Sequence, residues 1–110
     1  MPKLDAKSLA HDMLNAAKPL LQGHWKAVGP YAESEMQKLA VTALQIEVGQ
    51  MNGSLTSAQA QILLKMQANA SQSVLTAVET VGMIAAQDAI NAALDVLRDA
   101  LNKAVGVAFL

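Results

Sequence analysis

Residues 57–106, SAQAQILLKMQANASQSVLTAVETVGMIAAQDAINAALDVLRDALNKAVG, decide the fold, because everything else depends on whether this run is one helix or two. Thr56-Ser57-Ala58-Gln59 fits a capping box and opens it. No proline, Asn-Gly pair, Asp-Gly pair or polar loop follows before the C-terminus. Read as continuous, the helix runs from Ser57 to Gly106, a rod of about 75 Å at roughly 1.5 Å per residue.

The apolar face of that rod changes side along its length. Leu63, Met66, Ala70, Val74, Ala77, Val78 and Val81 share one face, whereas an advance of about 100° per residue puts Ile90, Leu94, Leu97 and Leu101 roughly half a turn away. Either the chain turns back at Gly82 as a helical hairpin, or one helix buries opposite faces against different neighbours. A hairpin needs about two to five residues with turn chemistry, and Thr80-Val81-Gly82-Met83 offers only the glycine. The continuous helix, kinked at Gly82, is therefore the reading adopted.

Within its second half, Gly82, Ala86, Ala89, Ala93, Ala100 and Ala104 recur at steps of three, four or seven and form a strip almost without side chains. Ile90, Leu94, Leu97, Leu101 and Val105 run beside it. Such a helix lets another backbone approach closely along the small strip. Short companions cannot cover a 75 Å rod, so a second copy is expected to complete the burial. The expected assembly is a homo-oligomer, most simply a two-fold dimer, with Gly82, Ala86, Ala89, Ala93, Leu97, Ala100 and Ala104 at the interface.

Upstream, Asp5 is placed to cap a first helix, with Leu4 and Leu9 as its hydrophobic staple. Leu9, Met13, Ala16, Ala17 and Leu20 repeat at helical spacing, and Pro19 should stop or bend the helix near Lys18. The segment 22–30, QGHWKAVGP, reads as a connector, with Trp25 and Tyr31 covering one end of the bundle and Pro30 in the first turn of the next helix. A second helix is predicted over Tyr31 to Met51, stopped by Asn52-Gly53. Its apolar residues form two lines, Ala32, Met36, Leu39, Ala43 and Ile46, then Ala40, Leu44, Val48 and Met51. Glu35, Lys38, Thr42 and Gln45 are left for water.

The 110 residues suit a single all-α domain, residues 1–110. Apolar residues make up 53%, but only Trp25, Tyr31 and Phe109 are aromatic, and strong helix formers dominate. Eight Lys and Arg against nine Asp and Glu give a formal charge of −1 without a basic block, which disfavours nucleic acid as a partner. Cysteine is absent, removing disulfides and thiolate chemistry. The opening MPKLDAKSLAHD lacks the apolar core of a signal peptide, so a cytoplasmic location is expected. Met66 to Val78, the nearest approach to a membrane span, is interrupted by six polar residues, and no spanning helix is expected.

Chemistry is sparse. His11 and His24 lie outside any Glu-x-x-His or His-x-x-x-His frame, and Glu33, Glu35, Glu47 and Glu79 are scattered, so no metal site is expected. Asp88, Asp95 and Asp99 form an acidic line, read as a solvated face with Asp99 and Lys103 as an i,i+4 pair. Ser54, Thr56 and Ser57 are explained by capping; Ser71, Ser73 and Thr76 lack a nearby base. No phosphate loop is present, and Gly49-x-x-x-Gly53 is explained by Gly53 as a helix stop. Gln45, Gln59, Gln67, Gln72 and Gln87 border the apolar lines, where ordinary exposed helix formers are the simpler reading than polar pins of register.

The function expected is that of a non-enzymatic scaffold or adaptor acting through helical surfaces, with no cofactor. Two alternatives belong to other classes. A membrane-surface protein would insert Val105, Val107, Phe109 and Leu110, helped by Trp25. A ligand-binding bundle would line a cavity with Met13, Met36, Met51 and Met66.

Overall fold

Asp5 begins the first helix as its position predicts, its Oδ1 accepting the Lys7 amide at 3.3 Å. In the computed structural model, which describes residues 3–78 and 81–105, α1 spans Ala6–Ala17 and runs into a short 3-10 turn, Lys18–Leu21, that carries Pro19. The staple residues close over this start, with Leu9 buried and Leu4 half-buried against the core. Three further helices follow: α2 over Trp25–Met51, α3 over Ser57–Ala77 and α4 over Met83–Val105. The described residues are helical or in turns, so the all-α class holds with four helices in place of three.

The second helix starts six residues earlier than the connector reading places it. The His24 carbonyl accepts the Ala27 and Val28 amides at 3.0 and 2.9 Å, so Trp25 is already helical and Pro30 lies within the helix. Proline there removes only the bond to the Lys26 carbonyl, and both residues are exposed, where water can take the amide's place. The Trp25 indole folds over buried Gly29 one turn on, so close that a Cβ there would lie 3.3 Å from the ring. Lys18 Nζ stands 5.1 Å from the indole centroid, a cation–π contact tying the 3-10 turn to the start of α2. Trp25 is thus a packed end residue, while Tyr31 stays largely exposed.

At its far end α2 stops at Met51, as Asn52-Gly53 predicts, and Asn52 Oδ1 accepts the Ser54 amide at 2.9 Å. The chain then returns so closely that the Leu55 amide donates to the Gly49 carbonyl at 3.1 Å. A Cβ on Gly49 would sit 2.7 Å from that of Leu55, which gives this glycine its own role beside Gly53. The capping box is complete: Thr56 Oγ1 accepts the Gln59 amide at 3.1 Å and Gln59 Oε1 accepts the Thr56 amide at 2.9 Å.

The continuous rod is overturned. Val78 turns extended (φ −70°, ψ 127°), the Val81 amide donates to the Val78 carbonyl at 3.3 Å, and Gly82 takes φ +78°. Glycine reaches that conformation at no steric cost. The long axis of the molecule is accordingly 42 Å, the length of α2 alone at about 1.5 Å per residue. The physical cause is length: a straight rod of about 75 Å would run well past the ends of α1 and α2. Much of such a rod would lie beyond any neighbour and in water, whereas doubling back puts Leu64, Leu75, Ile90 and Leu97 in one core.

Consecutive helices run antiparallel around that core. α4 packs against all three others, and α1 sits between α2 and α4. Met13, Leu21, Met36, Leu39, Ile46, Leu75, Ile90, Leu97 and Leu101 are fully closed from solvent. The first apolar line of α2 is core as read: Ala32, Met36, Leu39, Ala43 and Ile46 are all buried. The second is only begun, with Ala40 buried but Val48 and Met51 exposed.

Candidate functional site

The strip expected to meet a second copy lies inside the molecule. Ala86, Ala89, Ala93 and Leu97 are completely buried, Ala100 and Ala104 are half-buried, and Gly82 is exposed in the α3–α4 turn. Small side chains at this spacing do permit close approach, and the helices packed around α4 belong to the same chain. The strip therefore needs no partner molecule to cover it.

The surface left over belongs to α3, and the fold turns outward most of the face read from its sequence, keeping Val81 buried and Val74 and Val78 half-buried. Ala60, Leu64, Ala68, Ser71 and Leu75 point inward, whereas Leu63, Met66, Ala70 and Ala77 point out. Ile62 is 58% exposed, Leu63 41% and Met66 63%. At helical spacing Ile62, Met66, Ala70, Ser73 and Ala77 make one outward stripe with Leu63 beside it. On the adjoining ridge of α2, Val41 and Val48 are also exposed, and a shallow groove lined by Lys38, Val41, Thr42, Gln45 and Gln67 joins the two helices.

Charge on this surface is minimal. Lys65 is the sole charged residue of α3, and it lines the groove toward α4 with Arg98, away from the outward stripe. Lys38 is the one charge on the α2 side, and its Nζ donates to Glu35 Oε2 at 3.0 Å. Glu35 itself is buried, contrary to its reading as a solvent residue. Its Oε1 accepts the Ser71 hydroxyl at 2.9 Å, and Ser71 Oγ in turn accepts Gln67 Nε2 at 3.1 Å. This chain of bonds fixes the register of α3 on α2. It also makes Gln67 a register pin and commits the Ser71 hydroxyl as a structural donor.

Glu47 is the second buried carboxylate, fully closed from solvent. It accepts the Lys3 amide at 2.7 Å and the Leu4 amide at 3.0 Å, holding the segment that leads into α1. The sequence reading set Glu35 in water and counted Glu47 only among scattered acids, so it missed the burial of both. The available signal was their phase, since Glu47 lies seven residues after Ala40 on an apolar line of α2.

The remaining candidates stay apart. His11 is exposed and its Nε2 lies 3.2 Å from Asn15 Nδ2, beside an α1–α2 groove of about 370 Å³ lined by Ala10, Leu14, Glu33 and Val41. Among the described residues no three His, Asp or Glu gather as a metal site, and Glu79 lies outside those residues. Asp99 Oδ2 and Lys103 Nζ pair at 3.1 Å, both exposed. The four methionines do not share a cavity: Met13 and Met36 are packed in the core, while Met51 and Met66 are on the surface. Trp25 and Val105 sit at opposite ends of the bundle, and Val107, Phe109 and Leu110 lie outside the described residues. Among the described residues no helix is long and apolar enough to cross a membrane.

Compared with known proteins, the chain matches no family model, no curated protein and no solved structure.

Proposed function

We propose that the protein is a non-enzymatic interaction protein, a scaffold or adaptor, that works through the outer surface of the α2–α3 pair. The supporting observation is the outward stripe of α3, where Ile62, Leu63 and Met66 stand exposed together on a helix with a single charge. Isolated exposed apolar residues are ordinary, but a contiguous set rimmed by amides marks an association surface. Gln45 and the outer ends of Gln59 and Gln67 supply that rim, which keeps the surface wettable while unbound; Gln59 Oε1 and Gln67 Nε2 are already bonded within the chain, and the other atom of each amide remains for a partner.

Photo-crosslinking in the native host tests this reading. A photoreactive residue at position 66 is expected to give adducts, and the same residue at position 99, on the exposed charged face of α4, is expected to give none. Equal yields at both positions, or no adduct at 66, would refute the proposal.

A further inference from the structure

We infer that the occupant of the α2–α3 surface is a second copy of this chain, docked face to face about a two-fold axis; the inference rests on the interaction reading above and names its partner. Charge is the first argument. A surface evolved for an acidic or basic partner carries opposite charges, and this one carries only Lys38, already neutralised by Glu35 of its own chain. Two such surfaces meet without like-charge repulsion and without burying an unpaired ion.

The polar groups point the same way. Gln45, Gln59 and Ser73 lie among the exposed apolar residues; Gln59 Oε1 already accepts the Thr56 amide and the Ser73 hydroxyl donates to the Asn69 carbonyl at 3.0 Å, which leaves the Gln59 side-chain nitrogen as a donor, the Ser73 oxygen as an acceptor and Gln45 as both. A two-fold contact brings each group opposite one from the same set, so self-complementary groups are satisfied where a row of ammonium or carboxylate groups would not be.

Area is the third argument. α3 has 21 residues, a length of about 31 Å, and the α2–α3 pair is roughly 20 Å wide at the usual spacing of helix axes. The projected face is therefore about 600 Å² per copy before side-chain relief is added, within the range of stable interfaces at about 800 Å² per partner.

Sedimentation equilibrium of the full chain across a wide concentration series tests the inference. The expected result is twice the 11.5 kDa chain mass at high concentration. Ile62→Glu with Met66→Glu is expected to weaken the dimer at least about a hundredfold, since it sets four carboxylates in one apolar seam. Both positions are exposed, so helicity by circular dichroism should be unchanged. The matching Ile62→Lys with Met66→Lys variant should be monomeric alone and should form a mixed dimer with the Glu variant. A single-chain mass at every concentration overturns the inference, as does a dimer that survives both variants. If the chain is monomeric yet position 66 still crosslinks to a different protein, the second-copy inference falls and the interaction reading stands. If no adduct forms either, both fall.

Discussion

Glu47 shows what a single residue decides here. A carboxylate with no solvent contact is tolerable only when its oxygens are hydrogen-bonded, and both are, to backbone amides that precede α1. Glu47→Ala therefore orphans two amides and leaves a cavity. It should cost about 2–4 kcal/mol in urea unfolding and loosen the N-terminal segment toward proteolysis. Glu47→Asp shortens the reach while keeping the carboxyl group, and is expected to be nearly as damaging because the amides then face a gap. An unchanged midpoint for either variant would show that the clamp contributes nothing. None of this was legible from residue type, because a glutamate on a helix is normally a surface residue; its partners lie more than forty positions away and only folding brings them together.

At the scale of elements, the helix starts were easier to read than their ends. Asp5 and Thr56 cap through bonds to residues two or three positions on, so local sequence contains the whole interaction. The stop at Gly82 is equally local but was outweighed by the lack of other turn residues, and the length of the rod, about 75 Å against two short companions, was the better indicator. Gly82 and Gly49 should respond differently to alanine. Gly82→Ala meets open space and suffers only the strained φ, about 1 kcal/mol. Gly49→Ala pushes a methyl to 2.7 Å from the Leu55 Cβ, so the α2–α3 loop must move, with an expected loss of about 2–3 kcal/mol. Thermal unfolding of the two variants checks the order, and a larger loss for Gly82→Ala would contradict the loop geometry.

For the whole molecule, the decisive fact is where the alanine strip went. Because Ala93 is buried between helices of its own chain, Ala93→Leu should overpack the core. The expected loss is about 1–3 kcal/mol of stability, visible in chemical denaturation, and dimer dissociation by that variant in its folded state would argue against the buried assignment. By itself the sequence determined the all-α class, the caps, the stop at Asn52-Gly53 and the core line of α2, since each rests on propensity or on contacts within about one helical turn. Tertiary structure decided which face of α3 looks inward, whether the strip of α4 meets its own chain or another, and which acids are buried. α3 has apolar residues nearly all the way round, so its own pattern leaves its rotation undetermined. The choice falls to the neighbours: Glu35 bonding to Ser71, and α4 folded back onto Leu64 and Ala68, turn Ile62 and Met66 outward.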